Sequence, residues 1–230
     1  MEDRSRFITI GFTEPGEWES PLDEADGIIR YLTSDAIDLF HIRKTGENPD
    51  YTSALLEAVP RELRGRLILH SHYSLWNKFN PGGIHFKETV PEEIYRRAIA
   101  NRGIVSAGAH SIKELEKKSE LIDKDTQDLL SVAYGENEPL RYIFLSPIYD
   151  SISKTGYSSR FTLENPELLQ AVSQHPTIAL GGIKPAFFSE LYDAKFAGAA
   201  LLGYLWSPKT SIEDKINAIM YSRNKLNTHK

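Results

Sequence analysis

The chain has no cysteine among its 230 residues. That excludes disulfides, thiolate metal ligands and cysteine nucleophiles, and leaves the redox compartment open. It has no apolar run long enough to cross a bilayer, so no membrane partner is expected. The opening segment Met1-Glu-Asp-Arg-Ser-Arg-Phe7 carries acidic residues rather than the basic and apolar blocks of a leader, and a cytoplasmic location is expected. An excess of one charge sign is also missing. Twenty-seven Lys and Arg stand against thirty-two Asp and Glu, a net charge of -5, which speaks against broad attraction to nucleic acid but leaves room for a local anion pocket. Low-complexity tracts and interdomain linkers are absent as well. The reading is therefore one domain over 1-230, with an irregular insertion around 124-140.

What is there is an alternation of short apolar strands with helical patterns. Strands are expected at Phe7 to Phe12, Ala36 to Ile42, Arg66 to His70, Ile84 to Phe86, Ile104 to Ala107, Arg141 to Leu145, before Gly181, and before Gly203. Helices are expected from Asp26 to Leu32, Pro49 to Leu63, Pro91 to Arg102, Ile112 to Leu121, Pro166 to Val172, Pro185 to Ala194 and Ile212 to Leu226. A shorter piece covers Tyr73 to Phe79. Ser111 followed by Glu114 is a capping box, which puts His110 just before a helix. Eight strands alternating with eight helical pieces predict an α/β fold of the (β/α)8 TIM-barrel kind.

In such a barrel the strand exits share one rim, so the polar residues at those exits are candidates for function. His41 and Arg43 end strand two, His70 and His72 strand three, and His85 strand four; His110 follows strand five. Lys154 lies in the long irregular stretch after strand six, Ser146 to Phe161. Gly181-Gly182 and Gly203 close strands seven and eight, and glycines there let bare N–H groups approach an anion. The reading assigns acid and base chemistry to His70, His41, His110 and His85, since imidazole titrates near neutral pH. Phosphate binding falls to Arg43, Lys154, Gly181, Gly182, Gly203 and Tyr204. No metal is assigned, because the rim offers imidazoles where magnesium would want carboxylates.

The segments Phe40-His-Ile-Arg-Lys44, Gly83-Ile-His85, Ser106-Ala-Gly-Ala-His110-Ser111, Ser146-Pro-Ile-Tyr149 with Lys154, and Ala179-Leu-Gly-Gly-Ile183 resemble those of thiamine phosphate synthases and the related thiazole tautomerases. The resemblance runs from about residue 7 to 226 and implies a phosphate-binding barrel. By that resemblance Gly182 and Gly203-Tyr204 match the phosphate turns, while Lys154 and Arg43 match cations near the pyrophosphate. His41 stands where the synthases have Gln, and His70-Ser71-His72 where they have Asn-Asp-Asp. The resemblance therefore implies a metal-independent thiazole phosphate tautomerase working through histidines, without cofactor. The alternatives are a thiamine phosphate synthase, which would use Mg2+, and a non-catalytic binder of phosphorylated thiamine precursors. The expected partner is a small phosphorylated heterocycle, and family members are often dimeric, which leaves a homodimer open.

Overall fold

The structure, a computed structural model, describes residues 6–87, 90–101, 103–118, 142–150 and 161–228. Eight parallel strands close into a barrel in chain order: β1 Ile8–Phe12, β2 Leu39–Ile42, β3 Leu67–Leu69, β4 Gly83–His85, β5 Ile104–Ala109, β6 Tyr142–Leu145, β7 Thr177–Ala179 and β8 Gly198–Leu201. The last returns to pair with the first, Ile8 opposite Gly198 and Gly11 opposite Leu201. The insertion expected around 124-140 lies outside the described residues, as does Lys154.

Two apolar layers hold the barrel. Outward-facing strand residues such as Phe40, Ile42, Leu67 and Leu145 pack against the helices, and inward-facing ones, Ile10, Phe12, Leu39, Tyr142, Phe144, Ile178 and Ala200, fill the interior. Strand residues two apart share a face, so the inward set continues from Leu39 to His41 and from Ile68 to His70. Histidines thus occupy rungs of the interior stack that a barrel commonly fills with branched aliphatics.

The helices follow local signals, some stronger than the apolar period. Helix α1 spans Pro21–Thr33, five residues ahead of the expected start, because Ser20 caps it and Pro21 takes the first turn. Helix α2, Asp50–Ala58, stops short of Leu63 because Pro60 has no N–H to continue the ladder and holds Val59 extended. The remaining helices are α3 Trp76–Phe79, α4 Glu92–Ala100, α5 at 112–118, α6 Pro166–Gln174, α7 Phe188–Asp193, α8 Gly203–Trp206 and α9 Ile212–Thr228. The capping box is present: the Glu114 N–H donates to Ser111 Oγ at 3.1 Å, and the Glu114 carboxylate accepts from the His110 N–H at 2.7 Å.

Charged groups brace both ends of the barrel. At the floor, Asp38 accepts from the Thr9 N–H at 2.8 Å and pairs with Arg6 and Arg223. Arg66 donates to the carbonyls of Asp38, Leu32 and Ile37. Near the mouth, Lys44 and Glu24 form an ion pair with fully buried side chains, 2.7 Å apart, and Lys44 also donates to the carbonyls of Glu14 and Gly16. Burial pushes the Glu24 carboxyl up and Lys44 pulls it back down. This pair ties the β1–α1 loop to the end of β2, so breaking one side strands a buried charge. Lys44→Met is expected to cost about 3–5 kcal/mol in urea unfolding, with much of the loss recovered in Lys44→Met/Glu24→Leu. A single-variant loss below about 1 kcal/mol would mean the pair is solvated.

Candidate active site

The inward rungs of β2, β3 and β4 bring three imidazoles together at the carboxyl end of the barrel. His41 Nδ1 lies 2.6 Å from His70 Nε2, and His41 Nε2 lies 2.5 Å from the Tyr142 hydroxyl. The ring of His70 stacks on that of His85 with centroids 4.1 Å apart, and His85 Nδ1 lies 3.0 Å from Ser106 Oγ. Phe12 and Phe144 pack against His41 at 4.8 and 5.0 Å. His41 is fully buried, His70 nearly so, and His85 is the partly exposed member that reaches the mouth.

Burial is the first cause of the electrostatics here. It holds His41 and His70 well below the ordinary imidazole range, with neighbouring imidazoles adding to the shift, and it lowers His85 to about 3. Lys87, Arg43 and Lys118 push His85 further in the same direction. The three rings are therefore neutral at pH 7. Tyr142 is raised by burial and keeps its proton.

Cations ring this neutral cluster. The Lys87 ammonium donates to the His70 carbonyl at 3.0 Å, and it is lowered by burial and by Arg43. Arg43 is exposed, its backbone N–H fixed to Thr13 Oγ1 at 2.8 Å, and no carboxylate pairs with it among the described residues. Lys118 reaches in from α5 to the Gly108 carbonyl.

Other sequence-predicted residues fall elsewhere. His110 is exposed on the outer rim, its Nδ1 3.2 Å from the Ser146 carbonyl, facing the start of α6 rather than the other imidazoles. His72 leaves the strand parity because its backbone turns left-handed, φ 52°. Its ring bridges Thr52 Oγ1 and the Gly46 carbonyl. Gly181 and Gly182 have φ of 97° and 67°, and a Cβ on Gly182 would come 2.3 Å from the Asp150 carbonyl. The glycines are thus required where the segment Pro147 to Asp150 crosses the end of β7. Gly203 opens the short α8, with Tyr204 partly buried beside it. Tyr142, Ser106 and Lys87 were not among the candidates from sequence. Polar side chains on inward strand positions, and a lysine two residues past His85, are the signals that could have found them.

The donor set also decides how a metal would fit. Among the described residues the one group of three metal-ligating side chains is His41, His70 and His85, which offers nitrogen only. Magnesium takes oxygen ligands, at least one carboxylate among them. The described ends of β3 and β4 present His70, Ser71, His72 and Lys87 instead, so these residues do not fit a magnesium ion.

A family model described as thiamine monophosphate synthase matches residues 28–205, well over half of the chain. The chain belongs to that family. A thiamine-phosphate synthase of Pelagibacter ubique (strain HTCC1062) is 22% identical over 187 residues, covering 80% of this chain and 82% of the relative. The thiamine phosphate pyrophosphorylase structure from Bacteroides thetaiotaomicron is 27% identical, with a TM-score of 0.68 over 96% of this chain and 98% of that one. That of Pyrococcus furiosus, at 14% identity and a TM-score of 0.65 over 97% and 98%, shows the shared fold. The chain is a thiamine-biosynthesis-related phosphate-binding barrel.

The neutral imidazoles make stability depend on acid. The unfolded chain takes up protons below about pH 6.5, while the folded cluster refuses them down to about pH 3 at His85. Stability is therefore fully present above pH 6.5 and lost as pH falls through that window. Urea midpoints are expected to drop from pH 7.5 to pH 5, with a slope approaching about 1.4 kcal/mol per pH unit for each such histidine. His85→Gln is expected to flatten the slope. A midpoint independent of pH over this range would show that the rings are solvated.

Proposed function

We propose that this barrel is a synthase-type enzyme of thiamine biosynthesis, joining a pyrimidine pyrophosphate to a thiazole phosphate and releasing pyrophosphate. The observation that carries the reading is the set of cations around the mouth. Arg43, Lys87 and Lys118 all act on His85, in a chain whose net charge is -5. A site that concentrates positive charge against the overall sign is suited to a polyanionic substrate and leaving group. The names of the relatives support the same choice over the tautomerase expected from the sequence.

In this reading Gly182 and Gly203, with Tyr204 beside them, offer main-chain N–H groups to the thiazole phosphate. Gly181 supplies the left-handed turn that lets the chain approach. Arg43 and Lys87 face the pyrophosphate through charge-assisted hydrogen bonds, and Lys154 takes the third position by its resemblance to the synthase lysine. His85 borders the reacting ring as a neutral hydrogen-bonding group. The tautomerase remains the second reading, favoured by one specific observation: neutral imidazoles at the mouth can move protons without a metal.

Thiamine phosphate formation from the two precursors, measured by chromatography with Mg2+ and with a chelator, tests the proposal. Product is expected in both conditions. Arg43→Ala and Lys87→Ala are each expected to lower kcat/KM about 10- to 100-fold, matching about 1.5–3 kcal/mol for a charge-assisted hydrogen bond. Solvent deuterium entering a thiazole carboxylate phosphate without thiamine phosphate formation would select the tautomerase. Calorimetric binding with neither activity would select a non-catalytic binder, and no binding of either precursor would overturn the proposal.

A further inference from the structure

The nitrogen donors that turn magnesium away suit a different class of ion. His41, His70 and His85 each offer one ring nitrogen, and those atoms all lie within 4.8 Å of one another. Two of the three rings are already held from behind. His41 Nε2 lies 2.5 Å from the Tyr142 hydroxyl and His85 Nδ1 lies 3.0 Å from Ser106 Oγ, which leaves His41 Nδ1 and His85 Nε2 for an ion. A metal-bound imidazole ordinarily donates its other N–H to a fixed oxygen, which orients the ring and raises its basicity. Phe12 and Phe144 pack against His41 and give the barrel side an apolar shell.

The contact between His41 Nδ1 and His70 Nε2 shows where an ion would enter. At 2.6 Å two lone pairs repel, so something positive stands between the nitrogens, and in the metal-free pair it is one shared proton. A divalent ion takes the proton's place. Tetrahedral bonds of about 2.0–2.1 Å put such nitrogens roughly 3.3 Å apart, which asks the two rings to part by about 0.7 Å. His70 and His85 lie face to face with centroids 4.1 Å apart, and parallel rings aim their lone pairs side by side rather than at one point. One ring has to turn, and His85 is the partly exposed one at the mouth.

Imidazole nitrogen suits Zn2+, Co2+ and Ni2+, whereas Mg2+ and Ca2+ take oxygen. Three neutral ligands leave both charges of such an ion uncompensated, and Arg43 and Lys87 stand close by. An anion in the remaining position removes that conflict. We propose that His41, His70 and His85 bind one divalent transition ion of the zinc class, with its fourth coordination position open at the mouth for an oxyanion. Tyr142 and Ser106 are positioning residues here, orienting His41 and His85. No step of the synthase reaction is assigned to the ion, so the site does not rest on that reading: product formation tests one and ion binding the other.

Co2+ titrated into the untagged full chain at about pH 7, after a chelator has removed any bound metal, reports its coordination through its visible spectrum. One equivalent is expected, with the intense bands of four-coordinate Co2+, displaced by Zn2+ and unaffected by excess Mg2+. Sulfate is expected to shift those bands by taking the open position. His41→Gln, His70→Gln and His85→Gln are each expected to lose them and His72→Gln to keep them. Tyr142→Phe is expected to keep the bands with binding about 10- to 100-fold weaker. X-ray absorption of the Zn2+-loaded unmodified chain, where no variant has to fold, is expected to show an inner shell containing three imidazoles. A shell of oxygens, the weak bands of six-coordinate Co2+, or bands that survive in His85→Gln would overturn the site. Bands unmoved by sulfate would overturn the open position.

Discussion

The rest of the structure depends on three imidazoles buried where a barrel usually stacks aliphatic side chains. A buried polar group without a partner costs free energy comparable to a lost hydrogen bond, so the interior must supply partners. It does so with Tyr142 and Ser106, and the aromatic rings of Phe12 and Phe144 close the remaining space. Neutrality follows from that burial, and a neutral cluster can share its neighbourhood with several cations. The mouth can therefore be positive without the histidines being protonated.

That division gives the rim two kinds of chemistry. Under the function proposed above, Arg43 and Lys87 provide fixed charge for an anion, while His85, the partly exposed imidazole, provides a neutral hydrogen-bonding edge. The matching family is described as thiamine monophosphate synthase, and under the same proposal, without a magnesium site, the charge that meets a phosphorylated substrate has to come from side chains. The buried Lys44–Glu24 pair contributes indirectly. By fixing the β1–α1 loop to the end of β2, it sets the position from which Arg43 extends.

Much of the barrel was legible because strand and helix periods alternate cleanly along the chain. The errors came where a local signal outweighed the apolar period, as with Ser20 and Pro21 starting α1 and Pro60 ending α2. At the site, parity along β2, β3 and β4 correctly gathers His41, His70 and His85. Parity fails once the strand ends: His72 turns left-handed and His110 is tied to the α5 cap, so neither joins the cluster. Gly181 and Gly182 read as anion ligands in the sequence, and the structure adds a packing reason from the segment that crosses them. Tyr142 and Ser106 could not be paired with His41 from sequence, because their contact depends on the register between β5 and β6, where Ser106 lies opposite Tyr142.

A crystal structure with thiazole phosphate bound would show whether the glycine turns after β7 and β8 hold the phosphate. Phosphate oxygens are expected on the main-chain N–H groups that follow β7 and β8, with the thiazole ring against His85 and the His41–His70–Tyr142 contacts intact. A phosphate seated elsewhere, or a ligand that separates those three side chains, would contradict this arrangement.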